Sequence, residues 1–113
     1  AANLARVLPT GMVADVDRSG WVVPPVFDLV RRLGSVPWDD LEGTLNLGVG
    51  MVAVVDPEWA DAVLGVAQAA DIPAWVLGGV HEAGAHDPRG RLVTGTKGVD
   101  GGAVDVFGSY RTA

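Results

Sequence analysis

The feature that most constrains this chain is the apolar run from Gly48 to Val55, which Asp56-Pro57-Glu58 follows at once. The length and valine content of the run favour a buried central strand over a helix. These three residues predict the start of a helix that runs to about Ala70, because Asp56 can cap it, Pro57 suits its first position and Glu58 lies near the positive end of its dipole. Residues 73–80 read as a second strand. Strand, helix and strand in this order predict an α+β fold with α/β-like character, in which helices are layered on a mixed sheet.

Two further helices are predicted in the first half of the chain. Residues 26–33 place apolar side chains on one helical face, and Gly34 follows where a C-cap glycine is common. The apolar members of that face are Val26, Leu29, Val30 and Leu33. A group of acidic residues next suits the negative first turn of a short helix through about Thr44. These are Asp39, Asp40 and Glu42.

The chain length fits one compact domain, whose core is predicted to occupy residues 1–83. Within that core, residues 3–8 predict a short helix and residues 12–17 a strand. From residue 84 to residue 113 the composition turns to glycine, aspartate, threonine and arginine. This Gly-rich tail is predicted to form loops, with short strands at 91–93 and 103–107.

Charge and composition exclude several classes of protein. Lys and Arg number 8 against 14 Asp and Glu, so the net charge is -6. Such a chain repels phosphate backbones and anionic headgroups, which argues against nucleic acid and membrane partners. It contains no cysteine, and no apolar run approaches the ~18 residues of a membrane helix. We expect a cytoplasmic protein, and the start at Ala1 indicates a piece of a longer one.

Two motifs resemble ligand sites but fail on spacing. His81 and His86 are five residues apart with Gly84 between them, whereas a zinc-protease helix needs two histidines four apart on one face. We therefore expect no metal. The stretch from Gly90 to Lys97 lacks a lysine directly after its second glycine, and no helical pattern follows it. A surface turn accounts for that stretch better than a phosphate-binding loop does.

The segment from Thr44 to Met51 is less easily explained by packing. It places the polar Asn46 and two glycines, Gly48 and Gly50, at the start of the apolar run. Glycine weakens a strand interior, so two of them indicate either a close approach of the backbone to a ligand or a bulge at a tight entry turn. The residues alone leave both interpretations open.

Four blocks, in order along the chain, resemble aminoimidazole ribonucleotide synthetase, also called phosphoribosylformylglycinamidine cyclo-ligase. The segment from Thr44 to Met51 is similar to that family's "TFN, any residue, G, any residue, GM" signature. The other blocks are Asn3 to Pro9, Asp17 to Trp21 with Pro25 to Phe27, and Ala74 to Gly78. The sequence departs from the family at Leu45, where an aromatic is usual, at Gly20, where a second hydroxyl residue is usual, and at Gly79, where Glu is common.

The resemblance implies the carboxy-terminal domain of that enzyme, incomplete at its amino-terminal side. The family closes the imidazole ring of formylglycinamidine ribonucleotide with ATP and Mg²⁺, in a cleft between two domains. The ATP-binding domain would lie outside this chain, the whole enzyme would be a homodimer, and this part alone would be inactive. Asn46, Gly48 and Gly50 would face the cleft, while Asn3 and Arg6 would hold a phosphate or brace a loop. The resemblance assigns no catalytic residue.

Two other interpretations remain at this point. The first is a relative with the same domain architecture, such as formylglycinamidine ribonucleotide synthetase, selenophosphate synthetase or a hydrogenase-maturation factor. The second is a non-catalytic interaction module, because no nucleotide site is recognisable in this sequence.

Overall fold

A computed structural model describes residues 1–95 and 101–113 of the chain. The helices are α1 (Ala2–Val7), α2 (Pro25–Gly34), α3 (Trp38–Thr44) and α4 (Ala60–Ala69), with 3₁₀ turns at Arg18–Gly20 and Pro57–Trp59. The strands are β1 (Met12–Asp17), β2 (Val22–Val23), β3 (Gly78–Glu82), β4 (Arg91–Thr94), β5 (Ala103–Phe107) and β6 (Arg111–Thr112). No helix in the described ranges is long and apolar enough to cross a membrane.

A four-stranded mixed sheet with the order β3-β1-β5-β4 forms the centre of the domain. β1 runs parallel to β5, whereas β1 with β3 and β4 with β5 are antiparallel pairs. A separate parallel pair joins β2 to β6. This arrangement confirms the predicted α+β class and the mixed sheet.

The main core lies between α1 and one face of the sheet. Side chains alternate between the two faces of a strand, so Ala14 and Val16 face α1 whereas Val13 and Asp15 face the other way. The buried members of this cluster are Ala5, Leu8, Ala14, Val16, Trp21, Val104 and Val106. A second, smaller cluster consists of Val23, Leu41 and Leu47, against which Phe27 and Trp38 pack.

The prediction of a buried central strand at residues 48–55 is wrong. This segment pairs with no described strand, and most of its side chains are exposed, Met51 by 92%. Both edges of β1 are already occupied, by β3 and β5, so no place beside the central strand remains for the run. Its β-branched composition suits a pleated strand, but composition does not supply a pairing partner.

Three further expectations need correction. Residues 73–77 are unpaired, and the strand predicted at 73–80 covers Gly78–Glu82 instead. The predicted apolar face of α2 is exposed along its length, and the helix contains no buried residue. Its left-handed C-cap is Ser35 and not Gly34, which is the last helical residue.

The predicted tail contributes strands to the centre of the sheet. β5 lies between β1 and β4, and Val104, Asp105 and Val106 are buried. The short strands predicted at 91–93 and 103–107 are therefore confirmed, within β4 and β5. The division of the chain at residue 84 stays a prediction, although the tail shares one sheet with the preceding residues.

Candidate functional site

An open cleft of about 770 Å³ lies beside the main core, between the start of α1, the loop after α3 and the sheet. Its apolar lining includes Val16, Trp21, Leu77, Val104 and Val106. Its polar lining includes Asn3, Glu42, Thr44, Asn46 and Tyr110. A concave surface with an apolar floor and a few polar groups is the usual form of a small-molecule site.

Three of the five residues predicted from the sequence line this cleft, namely Asn3, Asn46 and Gly50. The other two lie behind lining residues and bond to them. The Gly48 N–H donates to Asn46 Oδ1 over 2.9 Å, and the Arg6 guanidinium donates to Asn3 Oδ1. The structure thus brings four of the five residues into two bonded pairs at one cleft, and Gly50 lines the same cleft. Contact of these residues with a ligand stays a prediction.

The loop from Asn46 to Gly48 has an unusual backbone. Leu47 and Gly48 both have positive φ, of 53° and 98°, and this region is uncommon for a residue with a side chain. Burial of the Leu47 side chain and a 3.0 Å hydrogen bond from Trp21 Nε1 to the Leu47 carbonyl hold it there. Strained backbone of this kind concentrates at functional sites.

Gly48 is required by local geometry as well as by φ. A Cβ at this position would lie 2.6 Å from Cδ of Pro24, which is closer than real Cβ contacts come. At Gly50, in contrast, a Cβ would meet nothing within 4 Å. Of the two alternatives left open by the sequence, the tight turn accounts for Gly48, whereas packing gives no reason for Gly50.

Asn46 orders this loop through both of its oxygens. Its side-chain Oδ1 accepts the Gly48 N–H, and its backbone carbonyl accepts the Val49 N–H over 3.0 Å. The Asn46 amide nitrogen bonds to no residue in the described part of the chain. It therefore remains a donor at the cleft wall.

Sequence reasoning missed the buried cluster around Glu42, because it assigned this residue to the negative first turn of a short helix. The Glu42 side chain is nearly buried at the cleft and accepts from Arg18 Nε and Nη2 over 2.8 and 3.1 Å. Arg91 Nη1 lies 3.4 Å away, and the Tyr110 hydroxyl also donates to the carboxylate. Because these partners are 24, 49 and 68 residues distant in sequence, no local pattern could have identified the cluster.

The charges around Glu42 set the ionisation of this cluster. Burial by itself would raise the pKa of Glu42, but hydrogen bonds from Arg18 and Tyr110, with the positive charges of Arg18 and Arg91, outweigh it and hold the pKa below its ordinary value. Burial and the neighbouring carboxylate raise the pKa of Tyr110. At neutral pH the cleft therefore contains an ionised Glu42 whose charge Arg18 and Arg91 balance, and a neutral Tyr110.

The two near-miss motifs lie elsewhere. His81 belongs to β3, and His86 to the turn after it, so neither is on a helix. Gly90 to Gly95 contributes β4, with no helix start within that stretch. Thr96 and Lys97 lie outside the described residues.

Fold and site together describe an α+β domain with an open cleft that has an apolar floor and a few polar groups. A comparison with family models matches residues 1–90 to "AIR synthase related protein, C-terminal domain". The chain therefore belongs to this family.

Relatives with assigned names agree with that assignment. A Streptomyces fradiae protein provisionally named phosphoribosylformylglycinamidine cyclo-ligase is 51% identical over 84 residues, which is 74% of this chain and 46% of the relative. Phosphoribosylformylglycinamidine cyclo-ligase of Symbiobacterium thermophilum is 46% identical over 87 residues, covering 77% of this chain and 25% of the relative. The chain thus spans from 22% to 46% of the length of the curated relatives compared with it. No solved structure matches it significantly.

Proposed function

We propose that this chain is the carboxy-terminal part of an ATP-dependent cyclo-ligase that converts formylglycinamidine ribonucleotide to aminoimidazole ribonucleotide in purine biosynthesis. The observation that carries the proposal is the meeting of Asn3, Asn46 and Gly50 at one cleft. These residues come from two separate sequence blocks, and the fold brings them together at the cleft. The names of the relatives supply the reaction.

In this proposal the Asn46 loop binds the substrate. The Asn46 amide nitrogen can donate to the oxygen acceptors of a ribonucleotide, while its Oδ1 keeps the loop in shape through Gly48. Gly50 has no Cβ, which leaves room for a ligand to approach the backbone. Arg6, bonded to Asn3 at the other side of the cleft, is suited to a phosphate group.

The described residues do not fit a magnesium-nucleotide complex. Glu42 is the one carboxylate among the residues that line the cleft, and two arginines and a tyrosine already occupy it. A magnesium site for a nucleotide uses one or two carboxylates with free oxygens together with the phosphates. We therefore propose that ATP and Mg²⁺ bind to a part of the longer protein outside this chain.

The same proposal gives the chain two protein partners, the rest of the enzyme with its ATP-binding domain and a second subunit. The exposed apolar residues support a covering partner, since soluble monomers rarely expose large contiguous apolar surface. They include Met51, Val54, Trp59 and Val66, together with the outer face of α2. This chain alone is expected to be inactive.

The test is turnover by the full-length parent protein with Asn46→Ala. We expect kcat/KM for formylglycinamidine ribonucleotide to fall by about 10-fold to 100-fold, because removing one hydrogen bond to a substrate costs about 1.5–3 kcal/mol. Gln68→Ala on α4 is the matched control, because it removes an exposed carboxamide away from the cleft. That control should retain full activity.

Thermal unfolding of each variant separates a binding defect from a folding defect. Normal turnover by Asn46→Ala would refute the site assignment. A wild-type parent that fails to convert formylglycinamidine ribonucleotide with ATP would refute the proposed reaction as well.

A further inference from the structure

A group of histidines and carboxylates lies on the face of the sheet opposite the cleft. In the strand register, Asp15 of β1 is opposite Asp105 of β5, and His81 of β3 is opposite Val13. Alternation of side chains places Asp15, Asp105 and His81 on one face, whereas the cleft-lining Val16 is on the other. The turn after β3, closed by a 2.6 Å bond from the His86 N–H to the Ala83 carbonyl, brings His86 to the same group.

His81 directs one ring nitrogen, Nε2, at this group and bonds the other, Nδ1, to the backbone. Its Nδ1 lies 2.8 Å from the Glu82 carbonyl, an acceptor, so Nδ1 carries the proton and donates. In the neutral ring, Nε2 then carries a lone pair and is an acceptor. It lies 2.8 Å from Asp15 Oδ2, which is also an acceptor. Two acceptors at this distance need a proton or a cation between them.

His86 is oriented by a buried carboxylate. Asp105 is fully buried and accepts from the backbone N–H groups of Arg89 and Gly90 over 2.8 and 3.0 Å. His86 Nε2 lies 2.9 Å from the same carboxylate and donates to it, which leaves Nδ1 as the free lone pair. A carboxylate that fixes a histidine in this way is the usual second partner of a metal-binding imidazole.

Asp15 completes the group. Its Oδ1 is buried and has no hydrogen-bond partner in the described part of the chain, a state that is uncommon in native proteins. The nearest cation, Arg89 Nη2, is 3.5 Å away on an exposed side chain. One ligand atom from each of Asp15, His81 and His86 lies within 4.8 Å of the other two. Ligand atoms of one tetrahedral Zn²⁺ lie about 3.3 Å apart, so the three side chains would close around the ion by small shifts.

We propose that Asp15, His81 and His86 bind one divalent transition-metal ion of the Zn²⁺ class, with Asp105 as the residue that positions His86. Two imidazoles and a carboxylate form a borderline donor set that suits Zn²⁺ and Co²⁺ better than Mg²⁺ or Ca²⁺. The ion would link β1, β3 and the turn after β3. The site lies on the sheet face opposite the cleft, so it is independent of the proposed ligase function and goes beyond it.

The experiment uses the untagged chain, because these are its only two histidines. After dialysis against a chelator, Zn²⁺ is titrated by calorimetry, and Co²⁺ by its visible absorption. We expect one ion per chain, tetrahedral-type Co²⁺ absorption, and a higher melting temperature in Zn²⁺, since a ligand that binds only the folded state stabilises it.

Three variants test the assignment of ligands. His81→Ala should lower Zn²⁺ affinity at least about 100-fold, because it removes a ligand outright. Its side chain is 42% exposed, so the metal-free variant should melt close to the metal-free wild type. Asp105→Asn should lower affinity about 10-fold to 100-fold, the usual effect of a positioning partner. Asp87→Asn, an exposed acid beside His86, is the control and should leave affinity unchanged.

The proposal fails if the wild type binds neither ion, or if His81→Ala binds Zn²⁺ as tightly as the wild type does. Loss of affinity in Asp87→Asn equal to that in His81→Ala would also refute it, since it would indicate general charge attraction. If Asp105→Asn does not fold, the Zn²⁺ affinity of His81→Ala alone tests the proposal.

Discussion

The sheet region and the exposed segment of residues 50–76 have similar apolar character but opposite environments. The sheet region, made of α1 and the four-stranded sheet, supplies the main core, and Ala5 and Asp105 are each 0% exposed there. The exposed segment includes the apolar run and α4, yet none of its residues is buried. Its large apolar side chains include Met51, Val54, Val55, Trp59, Val63 and Val66.

The difference teaches that apolar composition and position in a core are separate properties. A strand contributes to a core only when neighbouring strands accept its backbone, and here β3 and β5 occupy both edges of β1. The exposed segment therefore needs solvent or a partner to pair its backbone groups and to cover its apolar side chains. The proposed packing against the rest of the enzyme would provide such a partner. Three pairs of matched substitutions test the contrast, and each pair compares a buried or sterically constrained position with an exposed or open one.

The largest difference is expected between two glutamates. Glu42→Gln leaves Arg18 and Arg91 beside a neutral group in a nearly buried cluster, which should cost about 3 kcal/mol at pH 7. Glu58→Gln makes the same change at an exposed position of the segment and should alter stability by less than about 0.5 kcal/mol. Urea denaturation of both variants and the wild type measures the free energies of unfolding.

The effect at Glu42 should depend on pH. The folded state lowers the pKa of this carboxyl, so its stabilisation is present above the ordinary value of 4.5 and is lost as pH falls through the folded value. The gap between wild type and Glu42→Gln should therefore narrow from pH 7 to pH 3. A gap that stays constant, or that widens in acid, would contradict the ionised cluster.

A second comparison uses one chemical change at two valines. Val104→Ala removes two methyl groups at a site that is 1% exposed, and should lower stability by about 2 kcal/mol. Val66→Ala acts on α4 at a site that is 72% exposed, where the better helix propensity of alanine should leave stability unchanged or slightly higher. Thermal unfolding of both variants and the wild type measures the two changes in stability. Equal losses would mean that α4 is packed.

The smallest difference is expected between the two glycines of the loop. Gly48→Ala must place a Cβ at positive φ and 2.6 Å from Pro24, which should cost about 1–2 kcal/mol. Gly50→Ala has open space and ordinary φ, so the melting temperature of this variant should match that of the wild type. A large loss at Gly50 would indicate a packing role and would weaken its assignment to substrate.

Local patterns predicted most helices and strands but not which of them would pack together. α1, α3, α4 and β1 follow from spacing, caps and β-branched residues, all of which are local signals. The position of β5 between β1 and β4 was not foreseeable, because it depends on pairing between residues about 90 apart. The same limit explains the wrong prediction for residues 48–55.

The candidate site was predicted in part for a similar reason. Asn46, Gly48 and Gly50 form a contiguous motif, so sequence alone could select them. The positive φ of Leu47 has no sequence signal, since leucine rarely adopts it, and burial of its side chain imposes it. The spacing of His81 and His86 predicted no metal site, and spacing could not show that both approach Asp15, because they do so only through strand pairing and a turn.

Hydrogen exchange of the full-length parent, with and without formylglycinamidine ribonucleotide, tests the central claim most directly. If the cleft binds substrate, amides from Thr44 to Gly50 and those of α1 should exchange more slowly in its presence, while those of α2 should not change. Slower exchange confined to other parts of the protein, with these two segments unaffected, would contradict the account.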